Sequence, residues 1–251
     1  MSDPALLLVL AAVGLLAGFV DAIAGGGGLI SLPALLSAGF LPINALAINK
    51  LQGAVGTSLA ALTYWRKGFV ALRPLLPAIA TTYVGSIFGA FTVQRLDTSR
   101  LAVAVPIMLI AIAGYFLFAP KLTDDDRHAR LSFASFVPVM GLIIGFYDGV
   151  FGPGTGSFLT MGFVMLFGLG VTKAAANTKV LNLTSNLAAL TLFIPSGNVL
   201  WPAAIAMAMG QVAGGYLGAL TGIRFGAKVI RPLVVIVSVI LAGRLLFTGH
   251  S

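Results

Sequence analysis

The chain has 251 residues, of which 59% are hydrophobic and 9% charged; its formal net charge is +8, and it has no cysteine. That apolar share, with a mean hydropathy of +1.04, lies far above the balance of a soluble domain and marks a polytopic membrane protein. Disulfides, thiolate metal sites and redox thiols are excluded by composition, and nucleic-acid binding is set aside because the Lys and Arg sit mostly at the ends of apolar segments, where they set orientation and meet lipid headgroups.

A hydrocarbon core about 30 Å thick takes about 20 apolar residues per crossing. On that measure, full-length spans are expected at 5–23, 43–64, 69–93, 101–119, 132–150, 173–194, 199–223 and 230–247. The start, Met-Ser-Asp-Pro, has no basic region, so the first apolar run is expected to be a retained segment rather than a cleaved signal. Two runs, 29–40 and 157–168, are too short to cross, and each directly follows a glycine tract. With the segment before it, each is expected to form a broken or re-entrant hairpin.

Those tracts belong to two copies of one motif. The first reads G-F-V-D-A-I-A-G-G-G-G from Gly18 to Gly28, and the second G-F-Y-D-G-V-F-G-P-G-T-G from Gly145 to Gly156. Glycine tracts break helices and a carboxylate is costly in hydrocarbon, so finding both twice indicates a built site. The order of elements repeats as well: apolar segment, Asp, glycine break, short helix, Asn/Lys-bearing helix, long spans. Residues 1–120 form a first repeat, 121–131 a polar linker with Asp124, Asp125, Asp126, Arg127 and Arg130, and 132–251 a second repeat, all within one integrated membrane domain. The fold class is thus all-α and polytopic.

The loop after the first Asn/Lys helix, Trp65-Arg66-Lys67-Gly68, is basic, whereas its counterpart, Pro195-Ser196-Gly197-Asn198, is uncharged. Equivalent loops on opposite sides of a membrane differ in this way, which implies an inverted repeat. The basic loops 94–100 and 224–231 dilute the contrast.

The candidate site gathers at the breaks. Gly25, Gly26, Gly27 and Gly28 are not followed by the Lys-Ser/Thr of a phosphate loop, and no soluble strand–helix unit surrounds them. Unwound backbone followed by a helix N-terminus instead suits an anion, and the same holds for Gly152, Gly154 and Gly156. Scattered glycines such as Gly214, Gly215 and Gly218 read as close helix packing. Asp21 and Asp148 admit three roles: a cap for the glycine turn, a proton or cation coupling site, or a substrate contact. Lys50 lies about 10 Å into its helix, too deep for an ordinary headgroup anchor unless it snorkels. With Lys179, Asn49, Gln52, Asn177 and Asn182 it is expected to line a polar cavity, while Asn186 reads as an interhelical hydrogen bonder. Only His128 and His250 are present, both outside the apolar runs, so no histidine metal centre and no cofactor are expected.

The segments G-F-V-D-A-I-A-G-G-G-G-L-I-S-L-P-A-L-L, A-L-A-I-N-K-L-Q and G-F-Y-D-G-V-F-G-P-G-T-G-S-F resemble the TauE/SafE family of sulfite exporters over nearly the whole chain, including the central Pro-Lys-Leu loop and Ile230-Arg231-Pro232. The resemblance implies a bacterial inner-membrane permease with two repeats and re-entrant elements, carrying sulfite, sulfonates, thiosulfate or related anions. Its polar motifs fall on Asp21, Gly25 to Gly28, Asn49, Lys50 and Gln52, and on Asp148, Gly152, Gly154, Gly156, Asn177, Lys179 and Asn182. Pro153 and Thr155 make the second tract depart from the first.

The function this implies is secondary transport of a small anion, driven by an ion gradient, with the proton as the natural coupling ion, or by the anion's own gradient, since no nucleotide-binding module is present. An intramembrane enzyme would leave the glycine tracts and buried lysines unexplained, and a membrane subunit of a larger complex is the remaining alternative. The expected partners are the anion and the bilayer, with homodimer formation left open. The inverted arrangement makes a direct prediction in this cysteine-free chain: single cysteines at Gly68 and Ser196 label from opposite faces of oriented vesicles. Labelling of both from one face indicates parallel repeats.

Overall fold

The computed structural model describes residues 3–117, 126 and 128–225. The expected span 230–247, residues 118 and 119 of the span 101–119, and Asp124, Asp125 and Arg127 lie outside them. Among the described residues all regular structure is helical: α1 (Pro4–Ala24), α2 (Gly28–Ser37), α3 (Pro42–Arg66), α4 (Leu72–Val93), α5 (Thr98–Leu117), α6 (Phe133–Val150), α7 (Thr155–Met165), α8 (Val171–Phe193) and α9 (Trp201–Phe225). The chain is therefore a multi-pass membrane protein, with α1, α4, α6 and α9 long and apolar enough to cross. α3 and α8 are as long, at 25 and 23 residues, but carry the Asn, Gln and Lys residues inside.

Local chemistry sets the helix ends. Asp3 caps α1, its carboxylate accepting the Ala5 N–H at 3.0 Å, and Pro4 occupies the first turn, where no amide hydrogen is needed. Pro42 plays the same part at the start of α3. α1 stops at Gly25, whose φ of +75° is left-handed and whose N–H bonds the Asp21 carbonyl. Gly154, at φ +79°, opens α7 in the second copy. The short helices α2 and α7 have 10 and 11 residues, each about 15–17 Å long, or half a bilayer core.

The halves interlock rather than sit side by side. α1 packs along α9, and α4 along α6, so the first helix of each half pairs with a long helix of the other. Both seams are built on glycine. A side chain at Gly210, Gly214 or Gly218 would run into the backbone of Ala11, Leu15 or Phe19, and one at Gly85 or Gly89 into the backbone of Leu142 or Phe146. Association in lipid lacks a hydrophobic drive, so such small-residue stripes let backbones approach closely enough for dispersion to hold them. The scattered glycines of α9 thus do the packing that the sequence assigns to them.

These contacts also fix direction. Positions advance together along α4 and α6, from Ala78 with Gly141 to Ala90 with Gly149, so the two helices run parallel; α1 and α9 do likewise, from Ala11 with Gly210 to Phe19 with Gly218. α3 and α8 run antiparallel: Asn44 near the start of α3 donates to the Asn198 carbonyl just beyond α8 at 2.9 Å, Gly53 faces Asn186, and Lys67 after α3 shares a cavity with Lys173 near the start of α8.

Polarity is arranged inside out. Leu8, Phe88, Ile143 and Met209 are exposed on the outer helix faces, where lipid would meet them, while Asp21, Lys50, Gln52, Asp148, Lys179, Asn182 and Gln211 are buried. The end of the polar linker is pinned to the turn between α7 and α8. The Arg130 and Leu131 amides both donate to the Leu166 carbonyl, the Gly170 N–H donates to Asp126 at 2.7 Å, and Lys173 pairs with the same carboxylate. The Lys173 hydrogen bond, aided by the Gly170 amide, holds the Asp126 carboxyl below the usual carboxylate range.

Candidate functional site

The site forms where the two glycine breaks cross. A Cβ on Gly25 would collide with the backbone of Gly156, and one on Gly156 with Gly25, so the breaks meet backbone to backbone and tolerate no side chain there. Each break follows the last turn of a helix that carries one aspartate. Asp21 ends α1 with Oδ1 accepting the Gly27 N–H at 3.3 Å, which is the capping role, and Oδ2 accepting Lys179 Nζ at 3.1 Å. Asp148 ends α6 with Oδ1 accepting Lys50 Nζ at 2.9 Å and the Thr155 hydroxyl at 2.7 Å.

Each lysine also donates to the main-chain carbonyl of its aspartate, Lys50 to Asp148 and Lys179 to Asp21. The pairing is crossed: Lys50 of the first half reaches the acid of the second, and Lys179 of the second reaches the acid of the first. Both lysines are 1% exposed. A lone buried ion costs several kcal/mol even after relaxation, so two cations and two anions at this depth are stable only in pairs.

Between the breaks lies a small cavity of about 20 Å³, lined by Asp21, Gly25, Gly27, Gly28, Asn49, Gly53, Asp148, Gly152, Asn182, Asn186 and Gln211. That volume has room for about one water molecule, so this conformation encloses the site. Asn49 is held in the wall by Ser31, whose hydroxyl donates to its Oδ1 at 2.6 Å, and by the Gln52 amide at 3.0 Å; Asn186 Nδ2 donates to Asn182 Oδ1 at 3.3 Å.

Of the residues expected from sequence to form the site, Asp21, Gly25, Gly27, Gly28, Asn49, Asp148, Gly152 and Asn182 line this cavity. Lys50 and Lys179 do not line it; they stand behind the two carboxylates and neutralise them. Gln52 braces Asn49, Gly154 caps α7, Gly156 packs on Gly25, and Gly26 has room for a Cβ, which would meet Leu29 and Val20 only at ordinary contact distance. Asn177 is elsewhere: it lines a second cavity of about 410 Å³ with Lys67, Phe69, Phe133 and Lys173, between the α3–α4 loop and the start of α8. Its amide is turned back to the Lys173 carbonyl at 2.8 Å.

Sequence reading passed over Gly53 and Gln211. Gln211 is 1% exposed, sits in a glycine-rich apolar span, and packs against Gly18 and Gly56. A lone glutamine flanked by Gly210, Gly214 and Gly215 is the signal that marks it: a polar group in hydrocarbon, on the helix face that small residues bring close to a neighbour. Among the described residues no cluster of His, Cys, Asp and Glu is suited to a metal ion.

A helical, multi-pass chain with its polar and charged groups gathered between two halves is built as a membrane transporter, and comparison with known proteins agrees. The chain belongs to the sulfite exporter TauE/SafE family, whose model matches residues 10–245. It is 45% identical over 251 residues to "Probable membrane transporter protein YfcA" of Escherichia coli (strain K12), covering 100% of this chain and 93% of that one. To "Probable membrane transporter protein ORF9" of Sinorhizobium sp it is 46% identical, covering 96% of this chain and 92% of the relative. To a "Probable membrane transporter protein" of Haemophilus influenzae it is 43% identical, covering 96% and 95%. No solved structure matches the chain. It is a membrane transporter and not an enzyme.

The crossed pairs carry a prediction for stability. Lys50→Gln and Lys179→Gln each strand a buried carboxylate and are expected to cost about 3–5 kcal/mol, whereas Arg66→Gln at the exposed end of α3 stays within about 0.5 kcal/mol. Equilibrium unfolding of the three variants in one detergent checks this; equal stability of Lys50→Gln and Arg66→Gln contradicts it.

Proposed function

We propose that the protein is a secondary transporter of the bacterial inner membrane that moves a small sulfur-containing or organic anion, sulfite or a sulfonate being the leading class, in exchange with or together with protons. The observation that carries the reading is the pair of buried, crossed Lys–Asp contacts at the two glycine breaks. The family's description as sulfite exporter supports the anion class.

The architecture supports an inverted repeat with re-entrant hairpins. α3 and its counterpart α8 run antiparallel, while α1 runs with α9 and α4 with α6; joined by the short loops 67–71 and 194–200, these directions turn α1, α3 and α4 opposite to α6, α8 and α9. α2 and α7, each half a bilayer long and each entered through a glycine break, suit hairpins that enter and leave from one side. In such folds the substrate binds at the repeat interface, and access alternates as one half rocks against the other.

Charge supplies the coupling logic. With both pairs ionised the site is neutral, and an arriving anion meets ammonium groups that are already satisfied. Protonation of one carboxylate leaves its lysine uncompensated, raises the local charge by one, and makes the site attractive to an anion; deprotonation reverses this. Asn49 and Asn182 supply amide groups at the cavity, and Gly28, the first residue of α2, brings a positive helix end to it. The enclosed volume means that loading requires the halves to separate at the breaks.

Purified protein in liposomes tests the reading. Of sulfite, thiosulfate, sulfoacetate and simple carboxylates, a sulfur-containing anion should accumulate fastest, and a pH gradient of the right sign should speed it several-fold. Absence of uptake for every anion, or uptake indifferent to the gradient, removes respectively the anion class and the proton coupling.

A further inference from the structure

The two carboxylates are equivalent in the repeat but not in their surroundings. Asp21 has both oxygens engaged, Oδ1 by the Gly27 amide and Oδ2 by Lys179. Asp148 receives two donors on Oδ1, whereas its Oδ2 is buried without a hydrogen-bond partner. Its side chain is 2% exposed against 12% for Asp21. An ionised oxygen sealed from water with no donor costs far more than the same atom in a neutral acid.

The difference traces to the sequence. Seven residues beyond Asp21 stands Gly28, and seven beyond Asp148 stands Thr155. The Thr155 hydroxyl lies 2.7 Å from Asp148 Oδ1 and 2.8 Å from the Gly152 carbonyl, so its single hydrogen has two acceptors to choose between. When that hydrogen goes to Gly152, the Thr155 oxygen is free to accept from a protonated Asp148. Gly28 offers Asp21 no such partner.

We infer that Asp148, and not Asp21, is the carboxyl that takes up the coupled proton, with Thr155 as its hydrogen-bond partner in both states. This rests on the proton-coupled reading above. In the ionised state Thr155 donates to Oδ1. Uptake of one proton converts the carboxylate to the acid, Oδ1–H donates to the Thr155 oxygen, and the Thr155 hydrogen turns to Gly152. Lys50 keeps its bond to the Asp148 carbonyl, and a bound monoanion replaces the carboxylate as its counter-charge. The site gains one positive charge, which a monoanion cancels, and proton release restores neutrality. The charged or titratable groups facing Asp148 are Lys50 from α3, the adjoining Tyr147 of α6, and Asp21 and Lys179 of the second pair. Tyr147 is committed to the Pro153 carbonyl at 2.5 Å. α4, packed along α6, presents the neutral Thr82 and Ser86. Asp21 remains the cap of the first break.

Infrared difference spectroscopy of the reconstituted protein, titrated in pH with no transported anion present, reads the carbonyl stretch of a protonated buried carboxyl. Labelling with ¹³C-aspartate assigns it, because all seven acidic residues of the chain are aspartates. The titrating band is expected in wild type and in Asp21→Asn, and to be lost in Asp148→Asn. Thr155→Val, which alters no charge, should move it to higher frequency as the acid loses its acceptor. Retention of the band in Asp148→Asn, its loss in Asp21→Asn, its absence from wild type, or an unmoved band in Thr155→Val overturns the assignment; the Asp21 and Thr155 variants decide it even where Asp148→Asn fails to fold. Because the readout needs no substrate, a titrating Asp148 in a protein that moves no anion supports the assignment and defeats only the transport reading.

Discussion

Charge cannot stand alone in hydrocarbon, and the crossed pairing of Lys50 with Asp148 and Lys179 with Asp21 follows from that constraint. Each half contributes one cation and one anion to the buried interior, and each is satisfied by the other half. The packing serves this exchange. α1 and α6 must lie deep enough against the partner half to present their C-terminal aspartates to its lysine, and the glycine seams against α9 and α4 allow that depth. The glycine breaks complete the arrangement by ending both helices at the right level and turning the chain into α2 and α7.

Such a site is balanced in charge without substrate. A cavity lined by unpaired lysines would bind an anion tightly and release it slowly, or would lose its protons to burial. Pairing each lysine with an acid balances charge in the resting site and, under the proposed coupling, makes anion affinity conditional on protonation. Under the assignment inferred above, Thr155 and the unpartnered oxygen of Asp148 give the two pairs different work, proton uptake in one and bracing of the first break in the other. Transporters built from repeats commonly keep the shared architecture while their halves diverge in chemistry.

Much of the fold was legible in the sequence because membrane helices are set by length and apolarity. The expected span 5–23 is found as Pro4–Ala24, 132–150 as Phe133–Val150, and 199–223 as Trp201–Phe225. The span expected from 69 begins at Leu72, since Gly68 takes a left-handed φ of +79° and the chain stays extended past it. The short helix expected to reach 40 ends at Ser37, just before another left-handed glycine, Gly39. The residues of the site were legible as buried polar groups, but their partners were not. Nothing along the chain says that Lys50 reaches 98 residues forward to Asp148, since that depends on how the halves dock. Asn177 and Asn182 look alike in sequence, yet five residues on a helix turn the side chain by about 140°, which sends Asn182 to the central cavity and Asn177 to the outer one. Gln211 escaped notice because no charge accompanies it.

The crossed pairing is the claim on which the account stands, and double-mutant cycles measure it directly. Unfolding free energies for the cycle Lys50→Gln with Asp148→Asn, and for Lys179→Gln with Asp21→Asn, are expected to show coupling of about 0.5–3 kcal/mol, because each single variant strands its partner while the double removes both charges. The same-half combinations, Lys50→Gln with Asp21→Asn and Lys179→Gln with Asp148→Asn, are expected to couple more weakly than either crossed combination, because neither joins two groups in contact. Coupling confined to the same-half combinations would contradict the crossed arrangement, and with it the interlocked site.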